Sequence, residues 1–157
     1  MKDSEIFIVG ANGQLGTALR ALYPGAKSAD IGELDITDAK SVNNFDWSSV
    51  TTILNAAAYT NVDGAETEEG RRAAWAVNGL AVANLARVCL AHDMTLVHVS
   101  SDYVFDGTRE IHDELESFAP LGVYAQTKAA SDLPFPFYQN ITSSAPVGSS
   151  ARAKTSY

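Results

Sequence analysis

The sequence contains a single cysteine, Cys89, among 157 residues, so it cannot form an internal disulfide bond. That cysteine lies among apolar residues of a helical pattern, and we expect a buried thiol rather than a reactive one. Basic residues are scarce: 11 lysines and arginines stand against 19 aspartates and glutamates, for a formal charge of -8. Because nucleic-acid-binding domains usually present a basic surface, we expect no nucleic-acid partner.

Long apolar runs and targeting signals are also missing. Residues 1–5 carry acids where a signal peptide would be basic, and the apolar run that follows, 6–9, is far too short. No run approaches membrane-spanning length. We therefore expect a cytoplasmic protein without membrane contact, and a composition of 46% apolar and 19% charged residues fits one globular domain.

Segments typical of strands alternate with segments typical of helices. Strands are predicted at 5–10, weakly at 26–30, and at 51–55 and 94–99; helices are predicted at 14–23, 37–45, 71–91 and 123–132. This alternation predicts an α/β fold, a Rossmann-like doubly wound parallel sheet with helices on both faces.

A glycine-rich turn, Gly10, Gly13 and Gly16, follows the first strand and opens the first helix. Glycines there permit a tight turn and a close approach of backbone to a pyrophosphate, which the helix N-terminus attracts. The spacing G-x-x-G-x-x-G differs from the dehydrogenase pattern G-x-G-x-x-G. Asp30, 20 positions after Gly10, could accept from the ribose hydroxyls and would favour NAD over NADP. The alternative is a plain turn with Asp30 as a solvated residue.

Tyr124 and Lys128 are spaced i, i+4 on a predicted helix, so both side chains leave the same face. We expect the ammonium to lower the pKa of the phenol, which could then protonate a carbonyl that accepts hydride. Ser101, leaving the fourth strand, could polarise that carbonyl. A Y-x-x-x-K pattern alone is common, but the order of glycine turn, serine and tyrosine is that of short-chain dehydrogenases.

Several segments together resemble the dTDP-4-dehydrorhamnose reductases of the extended short-chain dehydrogenase/reductase superfamily. They are G-A-N-G-Q-L-G (10–16), E-L-D-I-T-D (33–38), N-A-A-A-Y-T-N-V-D-G-A-E (55–66), V-N (77–78), V-S-S-D-Y-V-F-D-G (99–107) and P-L-G-V-Y-A-Q-T-K (120–128). The resemblance implies NADH or NADPH as hydride donor, a nucleotide-linked sugar as substrate, and Ser101, Tyr124 and Lys128 as the catalytic set. The family commonly has Thr at 101 and Gly at 125, and neither change touches a reacting group.

The same resemblance implies a set of cofactor-binding residues, in which Asp35 and Ile36 lie near the adenine and Asn78 braces the active-site loop. The set is Gly10, Asn12, Gly13, Gln14, Leu15, Gly16, Asp30, Asp35, Ile36, Ala56, Ala57, Ala58, Tyr59, Thr60, Asn78, Tyr124 and Lys128. With Ser101, we expect Asp102, Tyr103 and Phe105 to shape the substrate pocket; the alternative is that the two aromatics are core residues.

The three histidines show no metal-ligand spacing, and His98, on a predicted strand, is expected to be a buried core histidine. We therefore predict no metal site in this stretch. Some members of the family bind magnesium, through residues further along the chain. For a full-length protein the resemblance implies a homodimer.

The composition changes abruptly after Asp132. From Leu133 to Tyr157 there is no acid, and three of the five prolines fall there. We expect a dinucleotide-binding domain at 1–132, truncated before its fifth strand, a disordered tail at 133–157, and no C-terminal substrate domain. Prolines and serines argue against a central strand in the tail.

Regrouping the possible codons of the tail by one base permits A-V-S-V-L-S-K-H-Y-I-L-R-S-S-W-V-I-G-E-G-K-N-F-V, which contains the family's fifth strand. This supports the hypothesis of a frameshift near the codon for Leu133; the alternative is a true variant linker. Rival functions are another nucleotide-sugar reductase or epimerase, and a non-catalytic subunit like the regulatory subunit of methionine adenosyltransferase.

Overall fold

Five parallel strands form one sheet in the computed structural model, which describes residues 2–113, 115–132 and 141–144. The strands are β1 (Ile6–Val9), β2 (Lys27–Ala29), β3 (Thr52–Asn55), β4 (Thr95–Val99) and β5 (Ile141–Ser144). Their order across the sheet is β2-β1-β3-β4-β5. The helices are α1 (Gln14–Leu22), α2 (Ala39–Asn44), α3 (Glu68–Ala74), α4 (Ala81–Ala91) and α5 (Val123–Asp132). The predicted Rossmann-like α/β fold is confirmed.

The long helix predicted at 71–91 begins three residues earlier and is interrupted. Thr67 caps it, because its hydroxyl accepts from the backbone N–H of Gly70 at 3.0 Å. A π-helical segment, Trp75–Leu80, then separates α3 from α4. Such segments are frequent at functional sites. This one holds Asn78, which is almost fully buried.

Right-handed crossovers place α1 on one face of the sheet and α2, α4 and α5 on the other. The main apolar core lies between the second face and its helices, with Phe7, Ile53 and Leu96 from the strands packed with Val42 and Leu85. The register also sets Val9, Asn55 and His98 side by side on this face, near the carboxyl ends of the strands.

The face that carries α1 is covered unevenly. Ile6 and Ile8 of β1 are at most 1% exposed, but Leu54 of β3 and Val97 and Val99 of β4 are only partly buried. Apolar strand residues of a parallel sheet normally lie under helices on both faces. The described residues therefore leave this part of the sheet incompletely covered.

The fifth strand corrects the expectation that the sheet stops at β4. Leu96 pairs with Ile141 and Val99 with Ser144, in parallel. Proline does not prevent this strand, because the prolines of the tail flank the segment and the backbone N–H groups of all four of its residues can donate to the sheet. The expected disordered tail is thus wrong at 141–144, and its remaining residues, 133–140 and 145–157, lie outside the described part.

By length and composition alone, the helical stretch Glu68–Ala91 could cross a membrane, with a mean hydropathy of 1.4 over its best window. The expectation that no run approaches this length therefore does not hold for this stretch. Half of that window is buried inside the domain. A core helix of a soluble domain has the same length and hydropathy, and the packing of Leu85 and Val88 into the main core explains the apolar residues.

Candidate active site

The glycine turn after β1 is shaped by two close backbone approaches. Gly10 has a φ of +76°, and a Cβ on it would lie 2.6 Å from the backbone nitrogen of Ala57. A Cβ on Gly16 would collide with the carbonyl of Gly10, so this glycine packs α1 against the turn. Gly13 differs, because the nearest atom to a Cβ there would be the Gly10 oxygen at 3.5 Å. The fold therefore excludes a side chain at Gly10 and at Gly16. At Gly13 no protein atom lies close enough to exclude one.

A groove of about 290 Å³ opens beside this turn, at the carboxyl ends of β1 and β3. The strand order reverses at this point, which is where open parallel sheets bind ligands. Eight members of the predicted cofactor set line the groove: Gly10, Gly13, Asp30, Asp35, Ile36, Ala56, Ala57 and Ala58. Sequence reasoning missed its other lining residues, Val9, Ile31, Leu34, Thr37 and Val77. The only feature of the sequence that could have indicated these residues is that they lie close to predicted cofactor-binding residues along the chain.

The other predicted cofactor residues are not among those that line the groove. Asn12, Gln14, Leu15 and Thr60 are exposed. Asn78 is buried, and its side chain pairs with both backbone groups of Tyr59, at 2.9 Å and 3.1 Å, and with the Thr127 hydroxyl at 3.1 Å. Asn78 thus ties the segment after β3 to α5, a geometry suited to the bracing role that the resemblance implies.

The groove fits a dinucleotide by its backbone geometry. Gly13 is the N-cap of α1 and has no side chain to occupy the helix N-terminus. The first N–H groups of a helix have no partner within it and favour anions. The carboxylate of Asp30 accepts from the backbone N–H of Asn12 at 2.9 Å and so joins β2 to the turn. Asp35 also lines the groove, and hydrogen bonds from Thr37 hold the pKa of its carboxyl below the ordinary value.

Ser101 and Tyr124 meet at the end of β4. The Ser101 hydroxyl accepts from the backbone N–H of Tyr103 at 3.2 Å and donates to the carboxylate of Asp102 at 3.3 Å, and it also acts on the Tyr124 phenol. Burial raises the pKa of Tyr124, and the nearby Ser101 hydroxyl opposes that rise. The predicted lowering of this pKa by Lys128 is therefore wrong for this structure, because burial is the largest effect on the phenol.

Lys128 is buried beneath the helix instead of lying beside the phenol. Its ammonium donates to the Val99 carbonyl at 2.6 Å and lies 3.3 Å from His98 Nε2. Burial lowers the pKa of Lys128, and the carboxylate of Asp132 partly offsets this. Asp132 itself accepts a hydrogen bond from the Ser100 hydroxyl. The i, i+4 spacing thus puts both residues on one face of α5 but at different depths.

The residues after Ser101 divide between the two alternatives. The ring of Tyr103 is half exposed and stands perpendicular to that of Tyr124, with centroids 5.7 Å apart, so it lies at the mouth of the site. Phe105 instead stacks on His112 at 4.0 Å and contacts Phe118, away from the phenol. Asp102 is exposed and raises the pKa of Tyr124 slightly.

His98 is a buried core histidine, as expected, and it contacts Asn55, Ser131 and Lys128. Cys89 is also buried as expected, and burial raises the pKa of its thiol to about 12. Among the residues that the structure describes, no group of three or more His, Cys, Asp or Glu side chains is placed to hold a metal ion.

The fold, the glycine turn and the Ser101–Tyr124 pair define a Rossmann-type domain of the short-chain dehydrogenase/reductase kind. The sequence profile of the family described as RmlD substrate binding domain matches residues 4–133. The chain belongs to this family.

Individual relatives agree with this assignment. The chain is 38% identical to dTDP-4-dehydrorhamnose reductase of Aggregatibacter actinomycetemcomitans, over 82% of this chain and 46% of the relative. It is 41% identical to dTDP-4-keto-6-deoxy-D-glucose reductase of Streptomyces niveus, over 80% of this chain and 45% of the relative. The crystal structure of dTDP-4-dehydrorhamnose reductase from Bacillus anthracis in complex with NADP superposes on this chain with a TM-score of 0.81 and is 34% identical to it. The superposition covers 92% of this chain and 54% of that structure. The chain thus spans about half the length of these relatives.

Proposed function

We propose that this chain is the cofactor-binding half of an NAD(P)H-dependent reductase, which converts the 4-keto group of dTDP-4-dehydro-L-rhamnose to the alcohol of dTDP-L-rhamnose. The proposal is carried by the groove at the carboxyl ends of β1 and β3 together with Ser101 and Tyr124 at the end of β4, where the Ser101 hydroxyl acts on the pKa of the phenol. Tyr59, next to the groove-lining Ala58, packs in the same small cluster as Tyr124. The relatives named as reductases of dTDP-linked keto sugars support this substrate class.

A nicotinamide cofactor bound in the groove would supply the hydride. Tyr124 donates its phenolic proton to the carbonyl oxygen, and its raised pKa keeps that proton in place at neutral pH. The Ser101 hydroxyl polarises the same oxygen while its own oxygen is held by the N–H of Tyr103. Lys128 fixes the end of β4 through the Val99 carbonyl and contributes a positive charge below the site. Solvent then returns a proton to the phenolate.

Two other functions are compatible with a Rossmann-type domain. Another nucleotide-sugar reductase or epimerase would use the same cofactor groove, and the Streptomyces niveus relative carries the name of a different sugar substrate. A non-catalytic regulatory subunit would not need the combination of Ser101, Tyr124 and Lys128, which this chain has. We therefore favour an enzyme, and the choice of sugar depends on residues beyond this half.

The relatives are about twice as long as this chain, so the reductase activity is proposed for a protein of their full length. For the full-length protein we propose a cytoplasmic, homodimeric enzyme. The frameshift hypothesis is consistent with two observations. The family match ends at residue 133, and β5 occupies 141–144. With one nucleotide inserted before the Leu133 codon, A-V-S-V-L-S-K-H fills 134–141, so Y-I-L-R falls on 142–145 and overlaps three of the four residues of that strand.

The test uses the gene with one nucleotide inserted before the Leu133 codon, which under the frameshift hypothesis encodes the full-length protein. Tyr124→Phe should lower kcat for the dTDP-linked keto sugar by about 10²- to 10⁴-fold, because it removes the proton donor but no wall of the groove. Cofactor affinity should change little. Tyr23→Phe, at the end of α1, is the matched control and should keep the parent rate. A near-parent rate for Tyr124→Phe would contradict the proposed proton donor.

A further inference from the structure

His98 stands in the middle of a buried hydrogen-bond chain that joins the dinucleotide groove to α5. The strand register sets Asn55 of β3 directly beside His98 of β4. Asn55 Nδ2 lies 3.1 Å from His98 Nδ1, and His98 Nε2 lies 3.1 Å from the Ser131 hydroxyl. All three side chains are at most 3% exposed, so these polar groups depend on one another rather than on solvent.

The donors and acceptors along this chain can be assigned. Ala57 N–H donates to Asn55 Oδ1 at 3.1 Å, so the amide nitrogen of Asn55 faces His98 Nδ1 and donates to it. Because Nδ1 accepts, the neutral imidazole carries its proton on Nε2 and donates to Ser131 Oγ. Ser131 donates in turn to the Lys128 carbonyl at 2.6 Å. In every one of these hydrogen bonds, the donor is therefore the group nearer the groove and the acceptor is the group nearer α5.

Both ends of this hydrogen-bond chain contact residues of the proposed active site. Ala57 lines the groove, and its nitrogen is the atom that a Cβ on Gly10 would approach to 2.6 Å, so its position defines the width of the glycine turn. At the other end, Lys128 and Tyr124 lie on the same helix. A shift of the imidazole would move the wall of the groove and the catalytic helix relative to each other.

We propose that His98 is a positioning residue which, as a neutral imidazole protonated on Nε2, holds Ala57 and α5 in the arrangement that the dinucleotide requires. This inference rests on the proposed function. The charge environment agrees with the neutral state of the ring, because Lys128 Nζ lies 3.3 Å from Nε2 and Asp132 acts on that ammonium. A second positive charge beside the ammonium would be unfavourable.

The first experiment measures the tautomer in the 157-residue chain, by NMR of ¹⁵N-labelled histidine. We expect the His98 Nδ1 signal of an unprotonated ring nitrogen and the Nε2 signal of a protonated one, unchanged from about pH 5 to about pH 8. Protonation on Nδ1, or a titration of His98 within that range, would overturn the proposal. His92, which is exposed, gives an internal comparison in the same spectrum.

The second experiment separates positioning from stability by titrating NADH and NADPH fluorescence. His98→Asn keeps an oxygen that can accept from Asn55, and we expect parent-like dinucleotide affinity. His98→Leu removes that acceptor, and we expect affinity to fall roughly 2- to 10-fold, as for the loss of one buried hydrogen bond. The matched control is His92→Leu, on the surface. A folded His98→Leu variant with parent affinity refutes the proposal. If that variant does not fold, the NMR measurement of the His98 tautomer tests the proposal instead.

The two proposals fail in different ways. If the parent chain binds neither dinucleotide, the proposed function is wrong for this domain, whereas the tautomer still tests the hydrogen-bond chain. If the parent binds and all His98 variants bind equally, the positioning role alone is wrong.

Discussion

The backbone N–H of Asn12 donates to the carboxylate of Asp30 at 2.9 Å, so the end of β2 is tied to the glycine turn after β1. The second oxygen of that carboxylate accepts from the Ile31 N–H, also at 2.9 Å. Glu33 stands beside it and accepts from the Asp30 N–H at 3.0 Å. The groove-lining Asp30 therefore has a second carboxylate, that of Glu33, beside it, and none of the described residues lining the groove is Lys or Arg.

This edge predicts that the chain binds NADH more tightly than NADPH, because a 2′-phosphate would meet like charge. Two unit charges 4 Å apart interact by about 1 kcal/mol in water, which is roughly fivefold in affinity. Asp30→Asn keeps an acceptor for Asn12 and should reduce the preference, whereas Glu69→Gln on the surface of α3 should not. Fluorescence titrations with both cofactors measure it. The Bacillus anthracis relative was solved with NADP, and tighter NADPH binding here would contradict the prediction.

The glycine turn allows a substitution that tests ligand contact without disturbing the fold. A Cβ at Gly13 would have its nearest neighbour at 3.5 Å, so Gly13→Val should fold normally but place a branched side chain against the pyrophosphate. We expect loss of dinucleotide binding in a fluorescence titration, with an unchanged thermal transition. Gly32→Val, which meets nothing within 4 Å, is the matched control and should bind like the parent. Equal affinity in Gly13→Val and the parent would sink the assignment of the groove.

The buried imidazole of His98 predicts a loss of stability in mild acid. Burial, and then the charge of Lys128, lowers its pKa from 6.5 to about 3. Below about pH 6.5 the unfolded chain therefore takes up a proton that the folded chain does not, and the free energy of unfolding falls as the pH drops toward 3. The slope from this group is at most about 1.4 kcal/mol per pH unit.

Urea unfolding between about pH 6.5 and about pH 4.5 isolates this effect, because carboxyl groups with a lowered pKa, such as Asp35, titrate below 3.8. His98→Asn should flatten the dependence in this window, and the surface variant His92→Asn should leave it unchanged. A parent protein whose stability does not vary across the window would show that His98 is not held neutral.

The gene itself offers a further prediction. One nucleotide inserted before the Leu133 codon should open a reading frame that continues through Y-I-L-R and N-F-V into a substrate domain. Sequencing through and beyond the codon for Tyr157 checks this directly. An early stop codon in that frame, or reductase activity in the 157-residue protein, would contradict the frameshift hypothesis.

The part-covered face of the sheet gives this prediction a physical counterpart. Leu54, Val97 and Val99 are only partly buried, and a restored second half should cover them. We expect the 157-residue chain to associate with rising concentration, and the restored chain to do so less. Light scattering over a concentration series measures the difference, and a strictly monomeric 157-residue chain would contradict the expectation.

Local patterns were enough to predict most elements, because the signals lie within one turn or strand. The helix predicted at 123–132 is α5 with the same bounds, and the turn from Gly10 to Gly16 has the close approaches that its glycines indicated. The first turn of α3 was missed, since Glu68 and Glu69 carry no apolar periodicity and only the cap at Thr67 marks the start.

Contacts between distant segments could not be read in this way. Spacing placed Tyr124 and Lys128 on one face of α5, but a helix does not specify how deep each long side chain lies. Only the packing of α5 against β4 sends the ammonium to the Val99 carbonyl rather than to the phenol. Burial then raises the pKa of Tyr124, which is the reverse of the expected shift.

The Rossmann-like order of strands and helices, the glycine turn and the family could all be predicted from the sequence. Each of them depends on residues that are neighbours along the chain. The tertiary structure decided the pairing of Asn55 with His98, 43 residues apart, and the strand at 141–144. Both depend on the register between strands, and register is set by the whole sheet rather than by any one segment.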